Sequence, residues 1–266
     1  MPLTIDGVRI YLPADNRLDF GRFLTADVAA IQIRKGYASV LDGPGAMGGS
    51  INLVTRAPTR EFESEGGISI GGRGESEGWN GYAMAGTRRR NFYAMGSATY
   101  STRDFWSLSG NYAPVANSLQ PSGRRIGSDN RDWRVNVKFG YTPNATDEYT
   151  LNHTTQSGEK GAPLNVRNNP PVPANSYWRW PYWDVQNTSF LTTTQLGAAS
   201  YVKTKLYYNT FKTGAYRLFN VDATFSLSSR VELAAGLKNI GDDYYELSWG
   251  LPQQGRTYYV KTRMQF

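Results

Sequence analysis

The stretch Trp133 to Tyr141, WRVNVKFGY, sets Trp133, Val135, Val137, Phe139 and Tyr141 on one face of an extended chain. Arg134, Asn136 and Lys138 fall on the other. A period of two with apolar and polar sides specifies a β-strand between two unlike surroundings. The pattern returns in LFNVDATFSL, where Phe219, Val221, Ala223, Phe225 and Leu227 oppose Asn220, Asp222, Thr224 and Ser226. It ends the chain in RTYYVKTRMQF, with Tyr258, Val260, Thr262, Met264 and Phe266 opposite Tyr259, Lys261, Arg263 and Gln265. After Pro58 about ten such segments follow one another, joined by alternately short and long connections. This predicts antiparallel strands only, with no helix of three turns or more.

No run of 18 apolar residues exists, so the sequence contains no transmembrane helix. The mean hydropathy of −0.52 is nevertheless compatible with a transmembrane barrel. In such a barrel lipid-facing and lumen-facing residues alternate and average to a polar value, and Trp and Tyr supply girdles at the two interfaces. The chain has 18 Tyr, 7 Trp and 11 Phe to do so. On this reading Lys138, Lys203, Lys205, Lys261 and Arg263 point to the lumen, and Val135, Val137, Phe225 and Val260 to lipid. The absence of cysteine excludes disulfides and thiolate metal sites.

The net charge of +7 is carried by basic residues scattered singly, apart from Arg88 to Arg90 and the Arg124–Arg125 pair. No helix or stripe gathers them into a nucleic-acid surface. His153 is the only histidine, so a multi-histidine metal site is impossible and any Ser-His-Asp triad would depend on it. It stands in step with Tyr149 and Leu151 and reads as an interfacial strand residue. Asp242 and Asp243 beside Gly241, and the Asp6–Gly7 pair, read as turn-formers. No catalytic residue, metal site or cofactor is expected. The first ten residues show no basic segment followed by an apolar one, so no signal peptide is read there.

Residues 29–58, AAIQIRKGYASVLDGPGAMGGSINLVTRAP, form a strand, a glycine-dense connection and a second strand. Taken alone they could join two strands in any β-protein. They resemble the C-terminal half of the plug domain of TonB-dependent outer-membrane receptors, whose pattern is a strand, R-G-x-x-S-x-L-Y-G, then A-x-G-G-x-I-N-x-x-T. Lys35 and Gly36 stand in the R-G place, followed in step by Ser39, Leu41 and Gly43. Ala46, Gly48, Gly49, Ile51, Asn52 and Thr55 complete it. Asp42 departs from the usual aromatic. Thr4 to Ile10, TIDGVRI, resembles a plug strand ending in D-G-V. Gly236, Asn239, Ile240, Asp242 or Asp243, and Tyr245 resemble the family's penultimate hairpin, and the terminal Phe266 resembles the end signal of outer-membrane barrels.

The resemblance implies an all-β fold: a partial plug over residues 1–58, then an antiparallel outer-membrane barrel of about ten strands over 59–266. Full receptors carry about twenty-two. A strand like the family's seventh precedes one like its third from last, so a join is expected near 212–216. A closed ten-strand barrel is filled by its own side chains and cannot hold a plug remnant. The remnant therefore hangs outside, or the strands form an open sheet with two unpaired edges. The resemblance further implies a Gram-negative outer-membrane location, contact with lipid, and a ferric siderophore or similar nutrient as ligand. It implies a TonB-type coupling protein as the family's partner, although the segment that engages it is not read in residues 1–58, so full transport is not expected. The segment YWRWPYWD offers Tyr177, Trp178, Arg179, Trp180, Tyr182 and Trp183 as an aromatic girdle or, with Arg124 and Arg125, as a mouth contacting an anionic chelate. A small structural or adhesive barrel and an outer-membrane protease are the rival readings.

Overall fold

The computed structural model describes residues 3–10, 19–36, 48–115, 119–163, 178–212, 215–228, 231–242 and 255–264. Strands β1 (Leu3–Ile5), β2 (Val8–Ile10), β3 (Val28–Lys35) and β4 (Gly49–Thr55) form a small sheet in the order β2-β1-β4-β3. The TIDGVRI run is a hairpin rather than one strand. Asp6 at φ 49° and Gly7 at φ 75° take the left-handed conformations of a two-residue turn. The Asp6 carboxylate then accepts the Thr55 amide at 2.8 Å and the Thr55 hydroxyl at 2.5 Å. Asn52 fastens the same turn from β4, accepting from the Gly7 amide at 2.8 Å. Gly49, at φ 122°, permits the β3–β4 approach, since a Cβ there would stand 2.2 Å from the Arg34 carbonyl oxygen. Ahead of β3, a 3-10 turn at Phe20–Arg22 is capped by the Asp19 side chain.

The wall consists of β5 (Glu63–Gly71), β6 (Gly78–Arg88), β7 (Phe92–Arg103), β10 (Asn130–Tyr141), β11 (Glu148–Ala162), β13 (Asp184–Gln195), β14 (Tyr201–Lys212), β15 (Ala215–Ser228), β16 (Val231–Lys238) and β17 (Thr257–Met264). These ten pair antiparallel in chain order. The long connections carry extra pieces: β8 (Trp106–Ser107) pairs with β9 (Arg124–Arg125), and β12 (Trp178–Trp180) adds to the end of β11. Across the expected join, β14 and β15 pair without a break from Tyr201↔Ser226 to Lys212↔Ala215. Residues 213 and 214 lie outside the described residues. Among the described residues β5 pairs only with β6 and β17 only with β16, so the wall is the open alternative.

Burial in the wall is inverted relative to a water-soluble sheet. Along β10, Asp132, Arg134, Asn136 and Lys138 are buried while Trp133, Val135, Phe139 and Tyr141 are exposed. The polar face packs against the small sheet, and it is called the inner face below. The lysines named above follow this parity: the Lys138 and Lys205 ammonium groups reach the small sheet. Val135 and Val260 lie on the exposed outer face. Outer-face aromatics form two bands. Trp79 and Tyr100 meet with ring centroids 4.8 Å apart near the long-connection end, beside Trp133. Phe92, Tyr141 and Tyr149 stand abreast near the short turns. Trp133 and Tyr141 are about 26 Å apart along the strand, or about 20 Å along the barrel axis at a tilt of ~40°.

Inner-face curvature relies on glycine beneath tyrosine. The Tyr93 ring covers Gly140, where a Cβ would lie 2.1 Å from ring carbons, and its hydroxyl donates to Glu148 at 2.7 Å. Tyr259 covers Gly236 in the same way and donates to Asp222 at 2.6 Å. The Gly236 position of the hairpin motif therefore has a packing cause. Asn239, at φ 49°, and Asp242, at φ 58°, make the turn that follows, while Asp243 and Tyr245 lie outside the described residues.

Turn chemistry supplies a pH-dependent contact. Asp147, between β10 and β11, accepts the Gln195 amide at 2.8 Å and the Asn144 side-chain amide at 3.1 Å, and these bonds hold its carboxyl below the usual range. A depressed folded-state value means the contribution is complete above the unfolded value, near 4, and fades as pH falls through the folded one. Protection of the Gln195 amide, taken relative to its intrinsic exchange rate at each pH, is therefore expected to fall below about pH 4 in the native chain. Asp147→Asn should flatten that acid dependence.

Candidate functional site

Wall and small sheet meet through charge. On β10, Asp132 binds Arg22 at 2.7 Å, Arg134 binds Asp27 at 2.5 Å and Lys138 binds Asp6 at 3.0 Å. Each side chain in these pairs is at most 10% exposed. Strand periodicity explains the spacing, because alternate residues of β10 present to one face. Backbone carbonyls of the small sheet and of the connection before β3 take further donors: Leu24 from Arg134, Arg22 from Gln156, Gly7 from Lys205 and Arg9 from Asn209.

Beside these contacts, toward the long-connection end, lies a cavity of about 480 Å³. Residues 21–26 floor it; Asn80, Ser101, Arg103, Trp106, Asn130 and Lys160 rise around it from the wall. Lys160 is paired with Asp19. Arg103 lies over the Trp106 ring at 5.5 Å, within electrostatic reach of Glu77 but with no carboxylate at ion-pair distance among the described residues. Arg22 lines the same space with a buried Nη1 that finds no hydrogen-bond partner. Asp132 lines the chamber too and is already bound by Arg22, which leaves the Arg103 guanidinium, one aromatic face and several amide and hydroxyl groups to meet an oxygen-rich anion.

The residues expected at the mouth are distributed differently. Arg124 is held bidentate by Glu75 at 2.6 and 3.1 Å and covers Phe105, while Arg125 donates to Gln120 at 2.6 Å. Arg179 binds Asp129 at 2.5 Å and Glu159 at 3.3 Å, bonds that raise its pKa further. The Trp178 and Trp180 backbones extend the β11 edge. Tyr182 is exposed, whereas Trp183 is buried beneath the Arg22 guanidinium at 4.8 Å. Tyr177 lies outside the described residues. The chamber residues Arg22, Arg103 and Lys160 were not singled out from sequence. Arg103 could have been found by parity, since it continues the Thr99–Ser101 polar face into a long connection. Of the glycine-rich motif, Lys35, Gly36, Gly48, Gly49 and Asn52 flank the β3–β4 connection, and Ser39 and Gly43 lie outside the described residues.

No protein-family model and no curated protein matches the sequence. Solved structures do. The copper transporter OprC superposes with a TM-score of 0.61 at 14% identity over 89% of this chain and 38% of its own. The FrpB iron transporter from Neisseria meningitidis gives 0.61 at 15% over 98% and 41%. The siderophore receptor PirA from Acinetobacter baumannii gives 0.58 at 11% over 89% and 39%. These are TonB-dependent receptors of siderophores and metals. The fold matches part of a TonB-dependent receptor. The chain spans about two fifths of the length of the receptors it matches.

Proposed function

We propose that this chain is the plug-and-wall part of an outer-membrane receptor, residues 1–58 forming the C-terminal half of the plug and 59–266 the lipid-facing wall. It binds a ferric siderophore or similar anionic chelate in the chamber between residues 21–26 and the wall. The observation that carries the ligand reading is Arg103: a guanidinium beside an aromatic ring, in a polar chamber, within electrostatic reach of Glu77 but with no carboxylate at ion-pair distance among the described residues. Inverted burial and two aromatic bands support the membrane setting. Ligand capture, not catalysis, is the role, as the neighbours' names describe transporters and receptors. Among the described residues the ten-strand path is open, and the role proposed for it is binding rather than energy-coupled transport.

The test is a tryptophan-fluorescence titration of the refolded chain in micelles with ferric enterobactin, the ligand named for a neighbour of similar fold, and with a neutral ferric trihydroxamate. Arg103→Ala is expected to weaken the anionic chelate by roughly 10- to 150-fold, the loss of one charge-assisted hydrogen bond of about 1.5–3 kcal/mol. The neutral complex should change little. Equal binding by native and variant chains, or none by either chelate, would refute the assignment.

A further inference from the structure

The Arg88–Arg90 run takes no part in the ligand reading, and two of its members have other work. Arg88 closes β6 beside residues 56–62, which join β4 to β5. Its Nε donates to the Pro58 carbonyl at 2.6 Å and its amide to the Arg60 carbonyl at 2.8 Å, while the guanidinium lies over the Tyr93 ring at 4.5 Å. Thr87 donates its hydroxyl to the Glu61 carbonyl at 2.5 Å, and Arg89 pairs with the Glu61 carboxylate at 2.9 Å. The carbonyls of Pro58, Arg60 and Glu61 thus accept from the last two residues of β6. They prolong the β5–β6 ladder past its Glu63↔Gly86 pair.

Pro58 pins this segment. It is fully buried, and its ring sits against Gly86, where a Cβ would stand 2.9 Å from the Pro58 Cβ and 3.2 Å from the Ala94 carbonyl oxygen. Only glycine at 86 leaves the notch open. Proline suits the notch because it has no N–H to leave stranded, and its fixed φ leaves little backbone freedom to lose.

We propose that residues 58–61 are a fixed pivot: they remain on the wall when the small sheet comes away, so that the sheet swings about Ala57 instead of departing whole. The partners of the backbone change sides within a few residues. The Thr55 amide is held by the Asp6 carboxylate and the Arg56 amide by the Asp27 carbonyl, both on the small-sheet side. Pro58, Arg60 and Glu61 give their carbonyls to β6 instead. The Arg56 side chain crosses the boundary to Glu65 at 2.6 Å, but that pair is 37% and 47% exposed and adds little.

The two sides also part differently. Small sheet and wall meet through side chains, and water replaces those contacts as the surfaces separate. The pivot is backbone ladder and a buried ring, so it opens only when the end of β6 itself frays. Asn80 at the chamber and Gly86 at the notch are about 20 Å apart along β6. A swing about Ala57 therefore displaces the chamber floor more than it displaces Arg56. This inference rests on the contacts of residues 55–61, not on the ligand or the membrane setting proposed above.

Native-state hydrogen exchange of the refolded chain in micelles, followed at single amides through rising urea below the unfolding transition, tests it. The Arg56 amide is expected to open with those of Asp6 and Thr55 in the small sheet. The Arg88 amide, whose acceptor is the Arg60 carbonyl, should open with the amides of β10 and exchange at least about tenfold more slowly than Arg56. Pro58→Gly, which empties the notch, should speed exchange at Arg88 by roughly 10- to 100-fold and leave β10 unchanged. Arg88 opening together with Arg56, or faster than both sets, would overturn the proposal, as would a single opening shared by every amide. So would an Arg88 rate that Pro58→Gly does not change.

Discussion

Asp132→Ala lowers the protection of plug amides against hydrogen exchange by roughly two to three and a half orders of magnitude, corresponding to about 3–5 kcal/mol. Asp132 and Arg22 are 1% and 2% exposed, and removing the carboxylate strands a guanidinium whose Nη1 already lacks a partner. The cost is mainly that uncompensated charge rather than the worth of the pair. Adding Arg22→Met to the variant should therefore recover part of the loss, although the Arg22 contact with Trp183 is sacrificed. Arg124→Ala is the reference: its pair with Glu75 is 62% and 50% exposed, and such pairs contribute at most about 1 kcal/mol. Equal losses for the two variants would show that wall and plug are not held by buried charge.

Val137→Arg is expected to destabilise the refolded wall in vesicles by about 2–4 kcal/mol, read as a shift in urea midpoint. Val137 sits midway along β10 between the aromatic bands and points outward, paired with Gly96 and His153. The same substitution on a water-exposed sheet face would change stability by no more than about 0.5 kcal/mol. Midplane hydrocarbon and water therefore give answers several-fold apart. A shift indistinguishable from zero would remove the lipid-facing assignment of the outer face.

Faces of the wall were legible in the sequence because each residue's partition between apolar and polar surroundings is a local property that alternates along a strand. Asp6–Gly7 was legible as a turn for the same reason, since its left-handed backbone is a demand on two residues. The pairing of β1 with β4, parallel across 48 positions, was not, because no local pattern records which distant strand completes a sheet. Nor was the Asp27–Arg134 bond, 107 residues apart. Composition drew attention to YWRWPYWD, yet its members part company in space: Trp183 turns inward under Arg22 while Arg179 turns to two carboxylates. Arg103, a single cation at a strand end, has no compositional signal at all. Its distinction lies in the chamber that the fold builds around it, with Trp106 beneath its guanidinium.

The plug is held to the wall by ion pairs and by hydrogen bonds to its own carbonyls, from Arg134, Lys138, Gln156, Lys205 and Asn209. Separating such a surface uncovers groups that water also binds, and uncovering polar area lowers heat capacity where uncovering apolar area raises it. Detachment of the small sheet is thus a transition of smaller heat-capacity change than an apolar contact of equal area would give, although Ile10, Leu53 and Trp183 are uncovered with it. Heat capacity sets the curvature of a free energy against temperature, so the free energy of this detachment follows a straighter line than that of unfolding an apolar core.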